Sequence, residues 1–355
     1  MPRFQPFLPG VWLMRRLRLP IKLGMLALAI VIPSLVICVS LVLRISEEIQ
    51  VLEDESQGVK GVAALSDLVV LAQKHRGQTN MLLSGGAGAR TALDGTRQAL
   101  PGALSAARSA LTAHTGFGLE QEWSELERRL QSLGETEKKT VAESFDQHTA
   151  LIADLTRLMY TTGERSSLLF DPDPPSYFLM DMVVSRTVPW SERMARLRGL
   201  GAGLLSRPEG PGESATVLRF QLQVLAGDTQ DFRFAAGFAE RYGQQGLPSE
   251  EAIKASEAFV AQALRALDNP GSVSGSAFFD AGTVAINAAQ AYQQATLKRL
   301  DQLLEARHEV AVTQRRLALG AATLGLAAMV YLLASFYLSF VIDFRHVRTI
   351  MAETA

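Results

Sequence analysis

Residues 23–43 read LGMLALAIVIPSLVICVSLVL, 21 residues without a charge. At about 1.5 Å of rise per residue such a run crosses a hydrocarbon core of roughly 30 Å as a helix. Pro33 is expected to kink it, which lipid-embedded helices tolerate. Residues 317–342, LALGAATLGLAAMVYLLASFYLSFVI, form a second uncharged run with Tyr331 and Tyr337 in its second half. Buried core helices rarely carry uncharged runs this long, so both read as transmembrane helices. The first is too long for the apolar part of a signal peptide. No small-x-small site follows it cleanly before Arg44, so a retained anchor is expected.

The flanks set an orientation. Residues 1–22 carry Arg3, Arg15, Arg16, Arg18 and Lys22 and no acid, whereas Glu47, Glu48, Glu53, Asp54 and Glu55 follow the first run. The positive-inside bias then predicts a cytoplasmic segment 1–22, a span 23–43, a periplasmic helical domain 44–316, a span 317–342 and a cytoplasmic segment 343–355. Arg315 and Arg316 would lie outside, but long loops translocate regardless of such charges.

Composition agrees with this plan. Hydrophobic residues make up 48% of the 355 and charged residues 20%, a skew that two lipid-spanning segments explain. The 35 basic residues nearly balance 36 acidic ones, so no global field points to a nucleic-acid partner. Cys38 is the single cysteine; it excludes an intramolecular disulfide and any cysteine-built metal site. A domain of this size can bury enough core to do without disulfides.

Between the spans, glycine and proline clusters punctuate helical patterns. A helix leaves the first span through Ile45, Ile49, Leu52, Val62, Leu65 and Leu68, ending near Ser84-Gly85-Gly86-Ala87-Gly88. A second is predicted over roughly 89–114, and a third from Leu119 to about Phe170, with interruptions considered at Gly134 and Gly163. Asp171-Pro172-Asp173-Pro174-Pro175 is the strongest break. Asp173 is placed to cap the next helix with Pro174 at its first position. That helix is expected to reach about Leu205, bent at Pro189. Helices near 214–244 and 249–267 follow, and the last starts near Ser276 and enters the second span. The predicted fold class is all-α: two transmembrane helices flanking an antiparallel helical bundle, or two four-helix bundles end to end.

Chemistry-bearing patterns are few. His75, His114, His148, His308 and His346 lie on separate segments without ligand spacing, so no metal and no cofactor is expected. The 84–88 glycine cluster follows a helix and lacks the Gly-Lys-Ser/Thr ending of a phosphate loop. Asp171, Asp173 and Asp181 do not fit a calcium loop. No nucleophile, base or metal constellation suggests an enzyme. Two features stand out. Gln73-Lys74-His75-Arg76-Gly77-Gln78 places a glycine inside a long amphipathic helix, at a cost of about 1 kcal/mol relative to alanine. Arg186, Arg193, Arg196 and Arg198 follow Tyr177-Phe178-Leu179-Met180-Asp181. Guanidinium forks grip carboxylates and oxyanions in a bidentate way. Arg76 facing inward to meet Arg186 or Arg198 would make an anion site; solvated surface arginines, or ion pairs with bundle carboxylates, are the alternative.

The segment 171–181, with Arg186 and the helix through Leu197-Arg198, resembles the periplasmic sensor region of bacterial methyl-accepting chemotaxis proteins. Related regions precede histidine kinases and diguanylate cyclases. Phe278-Phe279, Thr283, Ile286, Gln290, Tyr292 and the run Leu303-Leu304-Glu305-Ala306-Arg307 fit the same pattern, so the similarity spans about 20–342. Gln73, Arg76 and Gly77 are also similar to the nitrate-and-nitrite-sensing domain, whose arginines from facing helices bind the anion; the motif transfers to Arg76. Asp343 to Ala352 looks like the beginning of a HAMP helix. The resemblance implies an inner-membrane sensory receptor, a homodimer, which converts binding of a small molecule, such as the anion nitrate, into a cytoplasmic output. A kinase or cyclase sensor and a non-signalling membrane scaffold are the other readings.

Overall fold

The computed structural model describes residues 7–85, 89–133, 140–206, 212–243, 245–269 and 271–353; the Gly134 break considered above lies outside them. Every regular element is helical, with no strand among the described residues. In chain order the helices are α1 (Leu8–Arg16), α2 (Leu19–Leu83), α3 (Ala89–Thr112), α4 (Glu120–Gln131), α5 (Val141–Arg165), α6 (Pro174–Met180), α7 (Thr187–Leu205), α8 (Ser214–Arg241), α9 (Ser249–Asp268) and α10 (Gly275–Glu353).

The chain divides into two compact units, one of Met1–Gln50 with His308–Ala355 and one of Val51–Arg307. In the first, α2 and α10 are long and apolar enough to cross a membrane. Ile37, Leu324 and Tyr331 are exposed along these stretches, so the protein itself leaves their apolar surface uncovered. α1 was not anticipated. Its helical turn lays Arg16 over the Trp12 ring at 4.0 Å.

In the second unit, α2 contributes Leu52, Val62, Leu65 and Leu68 to a core completed by leucines of α3, α4 and α5. Gly58 permits its closest approach: a Cβ there would sit 2.0 Å from the Ser166 Oγ. α5 starts with a full capping box, in which Thr140 and Glu143 satisfy each other's backbone N–H. α5 also runs through Gly163 without interruption.

A second cluster joins α7, α8, α9 and α10. Trp190 stacks on Phe232 at 4.1 Å, and Phe232 meets Tyr292 edge-on at 5.1 Å. The indole N–H of Trp190 donates to the Thr229 hydroxyl, which itself donates to the Leu225 carbonyl, so a buried polar tip costs little.

The expected bend at Pro189 takes a different form. Asp181–Arg186 is a turn of π-helix between α6 and α7. Proline lacks an N–H and its ring crowds the carbonyl four residues back, so widening the preceding turn relieves both problems. The Thr187 hydroxyl then donates to Met182 O at 2.8 Å. Asp173 does occupy the N-cap position of α6, but its carboxylate accepts from the Ser176 hydroxyl rather than from a helix N–H.

Candidate functional site: a buried arginine pair

The α2 segment Gln73–Gln78 sends its side chains toward two neighbouring helices. His75 points to α5, where its Nδ1 lies 2.8 Å from His148 Nε2. His148 donates from Nδ1 to Ser144 O at 2.7 Å, which makes Nε2 the acceptor and His75 the donor. Burial, with a smaller push from Arg76, lowers the His148 pKa to about 4, so His148 is neutral at pH 7.

Arg76, 2% exposed, points to α7. It grips Glu192 with both guanidinium ends, Nη1 to Oε1 at 2.6 Å and Nη2 to Oε2 at 3.0 Å. Gln73 Nε2 adds a donation to Oε2 at 3.0 Å, and Arg76 Nη1 also reaches the Thr149 hydroxyl at 3.0 Å. Phe145 lies under the guanidinium at 5.0 Å.

Arg198, also from α7, is 8% exposed. Its Nη1 donates to the Thr283 hydroxyl of α10 at 3.0 Å, and its guanidinium rests over Phe279 at 4.5 Å. It has no carboxylate partner among the described residues, and its buried Nε has no acceptor. Burial and then Arg76 pull its pKa down to about 10, with Glu192 opposing, so it stays charged at pH 7. Glycines make the room. A Cβ at Gly77 would come 3.3 Å from Arg198 Nη2, and one at Gly282 would meet Arg198 Cγ at 2.8 Å. The 1 kcal/mol cost of Gly77 thus has a purpose: it lets α2 pass close to a charged side chain of α7.

Arg76, Glu192 and Arg198 together carry one uncompensated positive charge. Arg76 and Arg198 both line a cavity of about 410 Å³ between α2, α7 and α10. An excess cation, an Arg198 Nε without an acceptor and an adjoining cavity suit a monoanion, although the Gln73 Oε1 and Asn80 Oδ1 acceptors of the same cavity are also unpartnered. Of the arginines singled out from the sequence, Arg76 and Arg198 come together, whereas Arg186 pairs with Asp181, partly exposed and away from the cavity. Arg193 pairs with Asp228. Glu192, Thr283 and Phe279 were missed as members of the cluster. Glu192 had a legible signal, being the lone acid between Met182 and Pro208 on a segment with five arginines. Among the described residues no group of His, Cys, Asp or Glu could hold a metal ion.

No family model and no curated protein matches the chain. The solved structure of the NasR transcription antiterminator is similar to it, with a TM-score of 0.57 and 17% identity over 81% of each chain. At that identity the likeness is one of fold. What fold and site define together is an all-helical protein with two helices able to cross a membrane and an arginine pair buried where α7 meets the remaining lengths of those two helices.

Proposed function

We propose that the chain is the input half of a transmembrane receptor that detects a small monoanion with Arg76 and Arg198. The observation that carries this reading is Arg198, a charged side chain held in a cavity without a carboxylate partner. Leaving a cation so buried costs several kcal/mol, an arrangement expected where a ligand completes the site. In this reading residues 44–316 form an antiparallel bundle in the periplasm, the spans lie in the inner membrane, and two copies form the working dimer, as the resemblance to chemotaxis receptors implies.

Transmission follows from helix continuity. α2 carries both Arg76 and the first apolar run, and α10 carries both Thr283 and the second. An anion drawn to Arg198 competes with Glu192 for Arg76 and biases the packing of α2, α7 and α10. Shifts of about 1–2 Å along such helices suffice to signal across a bilayer. Calorimetric titration of the full chain in nanodiscs with nitrate and nitrite tests the reading. Heat that saturates in the millimolar range or below and vanishes in Arg198→Gln is expected; no heat from any small monoanion would remove the proposal.

A further inference from the structure

The arginine cavity does not stand alone. A larger cavity of about 710 Å³ adjoins it and shares Asn80, Ser84, Phe145, Gly199 and Gly203 with it. Away from those residues its walls are chiefly aliphatic: Val141 and Ala142 of α5, Leu197, Leu200 and Leu204 of α7, and Val217 and Leu218 of α8. This larger cavity is an open groove, since Val141, Leu200 and Val217 are exposed, and a four-atom inorganic anion on Arg198 would leave its apolar walls uncovered.

The passage between the cavities is paved by glycine. Gly199 and Gly203 lie four residues apart on α7, hence on one helix face, and line both cavities. A Cβ at Gly203 would meet nothing within 4 Å, so no neighbouring helix requires a glycine there. Helix-interior glycine costs about 1 kcal/mol per site, and here the return is open space beside the arginines. The independent observation is Arg198, 8% exposed, which lines the smaller cavity and whose buried Nε has no hydrogen-bond partner. The lining of the larger cavity also includes Asp146, a carboxylate that repels a second negative charge on the ligand.

We infer that the ligand is an organic monocarboxylate whose carboxylate meets Arg198 and whose apolar body passes Gly199 and Gly203 into the larger cavity. This rests on the anion-binding reading above and narrows its ligand class. A predominantly apolar site with one convergent charged group is the usual form of a small-molecule pocket. The glycines set the specificity, because a bulky side chain there would obstruct the passage more than it obstructs Arg198.

The test titrates the full chain in nanodiscs with sodium nitrate, acetate, hexanoate and phenylacetate, using Arg198→Gln as the blank for partitioning into lipid. Hexanoate or phenylacetate is expected to bind at least tenfold more tightly than acetate and nitrate. Gly203→Leu is expected to weaken that binding at least tenfold more than it weakens nitrate and acetate. If the larger carboxylates bind no better than acetate, or Gly203→Leu weakens all four alike, the inference is overturned and the small-anion reading stands. If none of the four binds, both fall.

Discussion

Replacing Glu192 by glutamine isolates the energetic core of the site. The substitution keeps size and one acceptor oxygen but removes the only negative charge in the cluster, leaving Arg76 and Arg198 facing each other. Arg76 is 2% exposed and the Glu192 side chain 17% exposed, so the pair is largely shielded from water. Removing one partner of a buried pair costs about 3–5 kcal/mol. Partial exposure of Glu192 puts this site at the lower end, about 3 kcal/mol. At roughly 2 °C per kcal/mol for a domain of this size, the melting temperature should fall by about 6 °C. Buried Trp123 and Trp190 supply the fluorescence signal for unfolding of Val51–Arg307 in detergent. Arg76→Gln combined with Glu192→Gln should recover most of the loss, because a neutral pair leaves no stranded charge. The single variant should also gain more stability from added anion than the wild type. A Glu192→Gln protein within 1 kcal/mol of wild type, or a double variant no better than the single, would refute the reasoning.

Other expectations concern pH, packing and topology. Glu55 is buried among Asp171, Asp173, Asp54 and Arg307; burial first and Asp171 next push its pKa from 4.5 up to about 8. A raised carboxyl pKa contributes stability that is complete below pH 4.5 and lost as pH rises through 8, about 5 kcal/mol at most at 1.36 kcal/mol per pH unit. The lowered pKa of His148 acts oppositely: its contribution is present above 6.5 and lost as pH falls through 4. Denaturation across pH should therefore show a stability maximum between the two limbs, and Glu55→Gln should flatten only the alkaline one. Gly201→Ala should destabilise by about 1–3 kcal/mol, since its Cβ would lie 2.4 Å from the Phe278 ring, whereas Gly203→Ala should gain up to about 1 kcal/mol; urea titration of both variants checks the contrast. In a Cys38→Ser background, a membrane-impermeant thiol reagent should reach Thr115→Cys in intact spheroplasts and Trp12→Cys only after permeabilisation.

The helical architecture was legible because its signals are local. Uncharged runs, proline pairs and glycine clusters act within a few residues, and the ends of α2, α8 and α9 fall close to where they pointed. The arginine site was legible only in part. Arg76 stood out through the glycine beside it. Which α7 arginine would join it depended on helix phase, and the π turn at Asp181–Arg186 rotates everything after it relative to an unbroken helix. The buried residues of α7, Trp190, Ser191, Met194, Ala195, Leu197 and Arg198 among them, share one side of the helix while Arg196 and Leu200 are exposed, so helix phase read from Trp190 and Met194 does mark Arg198 rather than Arg196 as the inward arginine. Pro189 announced a disturbance, but whether a kink or a widened turn resolves it is decided by packing against Met182 and Val183, both fully buried.

The most direct test of the receptor account follows α10 toward the membrane. Single cysteines placed from Leu303 to Val310 in the Cys38→Ser chain report the separation of two copies through the rate of disulfide cross-linking in native membranes. The account predicts that saturating nitrate or phenylacetate changes these rates with a helical period along the series, and that Arg198→Gln abolishes the change. Identical rates with and without bound ligand at every position would contradict it.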